Sequence, residues 1–157
     1  TEAVPGIVGL GKAAELAAEN MDEERTRVRQ MRDRLQEGIA ERIDESQVNG
    51  RKLPRLPNTL SVSFDYVEGE SILLMLDRHG ICASTGSACS SASLEVSHVI
   101  EALGLPATCA HGSMRFSLSR YNTEEEIDTI CELLPQIIDR LRTMSPFSAD
   151  RRTIDAE

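Results

Sequence analysis

Cys89 lies in the segment Ile81-Cys82-Ala83-Ser84-Thr85-Gly86-Ser87-Ala88-Cys89-Ser90-Ser91-Ala92-Ser93, which from Ala83 onward holds only Ala, Ser, Thr, Gly and that single thiol. None of these side chains is large enough to build a core. A cysteine kept for packing sits among apolar neighbours, whereas a reactive thiol needs exposure and polar company to ionise. Small residues also let other groups approach the backbone closely. The chemistry this points to is nucleophilic attack by a thiolate. A serine-rich surface loop that merely contains a cysteine is the plain alternative, and composition alone leaves it open. The other cysteines are Cys82, Cys109 and Cys131. No C-x-x-C pair occurs and no closely spaced histidine completes a zinc set. So few cysteines in a chain of 157 residues do not make a disulfide framework, which makes a reducing cytoplasm the natural compartment.

The elements that must position such a loop are legible in the apolar pattern. Val28, Met31, Leu35, Ile39 and Ile43 recur at spacings of three or four, so the stretch from Val8 to about Ile43 reads as helical. The charges between them form its solvated face. Pro5-Gly6 and the small residues that follow predict a separate helix or a bend at its start. Asn49-Gly50, Pro54 and Pro57 mark a turn and an irregular connection. Thr59 to Asp65 alternates strictly and predicts a half-buried strand with Leu60, Val62 and Phe64 on one side. Ile72 to Leu76 reads as a short buried helix stopped by Gly80. Ile81 to Ala83 reads as a brief strand and Val96 to Leu103 as a second short helix. Met114 to Arg120 alternates again. Thr123 and Glu126 have capping-box spacing, and Ile127, Ile130, Leu133 or Leu134, Ile137, Ile138 and Leu141 give the following helix a buried stripe. Pro135, inside that pattern, is expected to bend or break it. After Ser145-Pro146 the pattern becomes polar and aperiodic, which predicts a loose tail.

Lys and Arg number 17 against 26 Asp and Glu, for a net charge of −9. That balance argues against nucleic acid or an anionic membrane as partner. No apolar run approaches the roughly 18 residues that span a bilayer. The first residues, Thr1-Glu2, form no basic start to a signal peptide, and with no initiator Met the chain reads as a fragment or processed product. Aromatic residues make up only 3% of the chain, so its core rests on aliphatic side chains and Met.

Four blocks in order resemble the C-terminal part of the NifS/IscS-type cysteine desulfurases, pyridoxal phosphate enzymes of the class-V aminotransferase type. They are Pro5 to Ala13, Pro57 to Phe64 continuing through Tyr66 to Ser71, Ser84 to Glu95, and Ala110 to Leu118 ending in Tyr121 to Asp128. The Gly86-Ser87-Ala88-Cys89 core is the most specific of them. The resemblance extends from Thr1 to about Pro146. It implies an α+β fold: the small domain of a fold-type-I enzyme, an antiparallel sheet packed by helices. Residues 1–20 would be a helix contacting the large cofactor domain, 21–144 the small domain with the cysteine loop, and 145–157 a flexible tail.

Family members take sulfur from L-cysteine, release L-alanine and leave a persulfide on an active-site cysteine, from which it passes to a sulfur acceptor or an iron–sulfur scaffold protein. By resemblance, Cys89 is that nucleophile and also a transient ligand of a nascent iron–sulfur cluster. Arg115 matches the arginine that clamps the substrate carboxylate; the competing role is a strand arginine paired with a neighbouring acid. Thr1 matches a threonine that reaches the cofactor phosphate across a homodimer. The three histidines read as structural, because the family's acid/base histidine belongs to a region this chain lacks. The chain also lacks the segment that supplies the Schiff-base lysine, since its only lysines are Lys12 and Lys52. By itself it is therefore expected neither to hold the cofactor covalently nor to turn over cysteine. The competing function is a non-catalytic thiol module, a persulfide carrier or interaction domain from a truncated or split gene.

Overall fold

Leu60, Val62 and Phe64 alternate with small polar residues because one side of their strand is buried, and the structure bears this out. A computed structural model describes residues 1–85 and 97–145. Strands β1 (Ser46–Val48), β2 (Thr59–Phe64) and β3 (Ser113–Ser117) form one antiparallel sheet in the order β1-β2-β3. Leu60 stands opposite Phe116 and Val62 opposite Met114, so the apolar residues of both strands share one face. All four are at most 3% exposed. The opposite face carries Thr59, Ser61 and Ser63 beside Ser117, Arg115 and Ser113.

Helices cover the apolar face, and the fold is α+β. Helix α1 (Val4–Glu19) is followed by a turn at Asn20. A short α2 (Met21–Glu23), a π-helical turn (Glu24–Val28) and α3 (Arg29–Arg42) then form a nearly continuous run. Val28, Met31, Leu35 and Ile39 are buried, as their spacing predicts. The last helix, α7 (Glu124–Met144), packs on α3. Thr123 accepts from the Glu126 N–H while the Glu126 carboxylate accepts from the Thr123 N–H, so the predicted capping box is present. The helices approach so closely at Gly38 that a Cβ there would lie 2.5 Å from the Cys131 Sγ.

The structure departs from the sequence pattern in four places. Helix α7 runs on through Pro135. Leu134, Ile137 and Ile138 around it are buried, so tertiary packing holds the helix where local chemistry alone would break it. Strand β1 has only three residues, too few to display a period, and exists through its pairing with β2. The same brevity hides α6 (Ala107–Ala110). Ile81–Ala83 is not a strand; only Ser84 forms a bridge, with Arg115. Two further helices complete the element order, α4 (Gly69–Asp77) and α5 (His98–Ala102). Gly80, at φ 73°, follows α4 in the left-handed region, in keeping with its reading as a stop. Cys89, the residue Val96 and the expected tail beyond Ser145 lie outside the described residues.

Candidate functional site

Strand β3 fixes Arg115. Because Met114 and Phe116 point into the core, period-two alternation sends Arg115 to the polar face, where it is exposed. Ser61 stands opposite it on β2. On its other edge Arg115 exchanges both main-chain hydrogen bonds with Ser84: the Arg115 N–H donates to the Ser84 carbonyl at 2.6 Å, and the Ser84 N–H donates back at 3.2 Å. No ion pair or side-chain hydrogen bond of Arg115 occurs among the described residues. The guanidinium is a planar fork of donors, exposed among the described residues, and such a fork can receive a carboxylate.

Ser84 and Thr85 are the last described residues before the segment that holds Cys89, five positions beyond Ser84. The pairing thus ties the arginine strand to the base of the cysteine segment. Gly69, the first residue of α4, is buried, and a Cβ on it would meet Thr85 Cγ2 and the Ser113 carbonyl at 3.1 Å. The sequence pattern missed the role of Ser84, although a strand signal at 81–83 came within one residue of it.

A buried polar cluster lies on the same face of the sheet and was not anticipated. Asn49 Nδ2 donates to Ser63 Oγ at 2.9 Å and to Ser61 Oγ at 3.1 Å. The hydroxyls of Ser63 and Ser113 meet at 2.7 Å. Beside them the Cys109 thiol is pushed up to about 11, by burial first and then by its hydrogen bond to Asp65. A thiol so placed stays protonated at neutral pH and is a poor nucleophile. Cys131 is likewise buried, with its pKa raised by desolvation. Cys82 is the exposed thiol among the described residues.

Thr1 is exposed at the start of the chain, and no hydrogen bond joins it to Arg115 among the described residues. The side chains of His79, His98 and His111 are all exposed. A cavity of about 550 Å³ opens between the turn after α4 and the first turns of α7, lined in part by Leu35, Cys82, Phe116 and Ile130. Neither Arg115 nor Thr1 lines it. Among the described residues no three His, Cys, Asp or Glu side chains gather to hold a metal ion, and no helix is long and apolar enough to cross a membrane.

Comparison with known proteins places these features in a wider set. The family model for class-V aminotransferases matches residues 1–130. The chain is 55% identical over 151 residues to cysteine desulfurase 2 of Trichormus variabilis, a match covering 96% of this chain and 38% of that protein. It is 51% identical to cysteine desulfurase IscS of Methanosarcina thermophila, over 94% of this chain and 36% of the other. The solved structure of a NifS-like protein from Rickettsia africae superposes with a TM-score of 0.77 at 28% identity, over 88% of this chain and 36% of that one. The chain thus spans 38% or less of the length of these relatives.

Proposed function

Because the chain belongs to the class-V aminotransferase family, we propose that it is the C-terminal portion of a cysteine desulfurase, converting L-cysteine to L-alanine and carrying the sulfur as a persulfide on Cys89. The observation that carries this reading is the Ser84–Arg115 pairing: it joins a carboxylate-binding fork to the base of the Gly-Ser-Ala-Cys segment. Identities of 51–56% to proteins named cysteine desulfurases support it.

In this reading Arg115 holds the substrate carboxylate through two parallel N–H···O bonds and so orients the substrate sulfur. Cys89 attacks that sulfur as a thiolate. A sulfur–sulfur bond forms as the carbon–sulfur bond breaks, the electron pair stays with carbon, and a proton completes alanine. Ser84 lies five residues before Cys89. A fully extended stretch of that length reaches roughly 18 Å, so the thiol is tethered near the arginine strand while keeping room to meet an acceptor. The sulfur then passes to an acceptor or an iron–sulfur scaffold protein, with Cys89 a transient cluster ligand.

Pyridoxal phosphate, when bound, supplies the electron sink for such a cleavage. In this reading its Schiff-base lysine is not among the residues of this chain. Lys12 pairs with Glu15 at 2.9 Å on an exposed helix, and Lys52 lies in an exposed turn. Neither is placed as a Schiff-base lysine, and Thr1, at most a phosphate ligand contributed across a homodimer, is exposed. The lysine is assigned to the remainder of the enzyme, and α1 to its contact with that remainder. The cytoplasm is the proposed compartment, consistent with the free thiols of Cys82, Cys109 and Cys131.

The test is made in the complete enzyme. After turnover of L-cysteine, mass spectrometry of the Cys89 peptide should find one additional sulfur atom, and Cys89→Ala should abolish both alanine and sulfide production. Cys82, Cys109 and Cys131 should each be replaceable by Ala with activity largely kept. Substantial turnover by the Cys89 variant would remove the thiol from the reaction.

A further inference from the structure

The connection from β1 to β2 runs against the charge of the rest of the molecule. From Gln47 to Phe64 there is no acidic residue, while Arg51, Lys52 and Arg55 lie within five positions of one another, in a chain whose net charge is −9. The connection is held against α3. Arg32 Nη1 donates to the Leu56 carbonyl at 3.3 Å, Arg55 Nη2 donates to Gln36 Oε1 at 2.7 Å, and the Leu53 N–H closes a turn on the Gly50 carbonyl at 3.0 Å. Three arginines are thereby crowded together. The Arg55 guanidinium feels Arg32 and Arg51 as repulsive neighbours, with Asp33 as the opposing charge. Its Nη1 is buried with no acceptor among the described residues. Leu53 and Leu56, in the same loop, are 66% and 68% exposed.

Like charges held together beside exposed leucines cost stability unless something compensates them. We propose that this loop is a docking surface for a protein partner presenting an extended acidic segment with apolar side chains. The carboxylates would pair with the exposed Arg51 and Lys52, and the apolar side chains would cover Leu53 and Leu56. A protein fits better than a nucleic acid. The loop and the strands flanking it up to Ser63 carry no aromatic side chain on which a base could stack, and a phosphate backbone offers nothing apolar to cover Leu53 and Leu56. An anionic bilayer is recognised by clusters of about four to eight Lys or Arg, and this loop has only Arg51, Lys52 and Arg55.

The probe is a fluorescently labelled synthetic peptide of alternating glutamate and leucine, titrated into the 157-residue chain with anisotropy as the readout. Saturable binding is expected, weakening as salt is raised. The exposed pair Arg51→Glu, Lys52→Glu should weaken it tenfold or more with circular dichroism unchanged. Leu53→Ser with Leu56→Ser should weaken it several-fold while leaving the salt dependence in place, and a glutamate–serine peptide should bind the unaltered chain more weakly than the glutamate–leucine one. Equal binding by the charge-reversed variant overturns the proposal. So does tighter binding of a single-stranded oligonucleotide or of phosphatidylserine vesicles than of the peptide. These outcomes are independent of whether Cys89 carries sulfur.

Discussion

Arg115 combines two jobs in one residue: its main chain completes a pairing with Ser84, and its side chain faces open polar surface. Substitution should separate them, because Ala and Lys keep the main-chain bonds. On the proposed function, Arg115→Ala in the complete enzyme should raise the KM for L-cysteine sharply, corresponding to about 2–5 kcal/mol of lost binding. Arg115→Lys should recover only part of it, since a point charge replaces a fork. Steady-state kinetics would return Arg115 to a structural role if both variants kept the original KM. Cys109 shows the opposite tuning. Its thiol is raised to about 11 against an ordinary 9.0, so the folded state favours the protonated form. The unfolded chain loses this proton first as pH rises. The stability associated with Cys109 is therefore complete below about pH 9 and is lost as pH climbs through about 11. Urea midpoints across that range should fall less steeply for Cys109→Ala. At neutral pH, iodoacetamide should label Cys82 well before Cys109 or Cys131.

Between elements, α3 and α7 fit closely where they cross at Gly38. Alanine at position 38 would gain about 1 kcal/mol of helix propensity. It would also place a methyl group 2.5 Å from Cys131 Sγ and 3.1 Å from Arg42 Nη1. Overpacking of this kind costs about 1–3 kcal/mol, so Gly38→Ala should destabilise on balance. Adding Cys131→Ala removes the sulfur and should recover most of the loss, a coupling that a double-mutant cycle by urea denaturation measures directly. If the two changes proved additive, the helices would not be in contact there. The capping box at Thr123 sets the start of α7, and Thr123→Ala should cost about 1 kcal/mol in the same assay.

For the whole molecule, α1 stands apart from the rest of the fold. None of its residues is buried, and Val4, Ile7, Val8 and Leu10 are 59–73% exposed. An apolar helix of this kind is stabilised by covering, and in isolation the available cover is another copy. The 157-residue chain should self-associate in sedimentation velocity experiments. Deleting residues 1–20 should abolish that association and leave the thermal midpoint of the remainder nearly unchanged, because α1 adds nothing to the core. A marked fall in that midpoint would mean that α1 supports the domain directly.

The sequence by itself determined the long elements and singled out the cysteine-bearing segment. A stripe at Val28, Met31, Leu35 and Ile39, the alternation at Leu60, Val62 and Phe64, and the Thr123–Glu126 box are local signals, repeated often enough within one element to declare its period and its buried side. The small-residue setting of Cys89 is equally local. Tertiary structure alone decided what depends on a partner distant in sequence. Strand β1 exists because β2 supplies its hydrogen bonds, α7 survives Pro135 because neighbouring side chains are buried on either side of it, and Ser84 becomes the anchor of the cysteine segment only when Arg115 is brought beside it. Three residues cannot show a period, and a single pairing leaves no trace in composition. Such contacts form only where the fold repays the entropy of joining two distant stretches of chain.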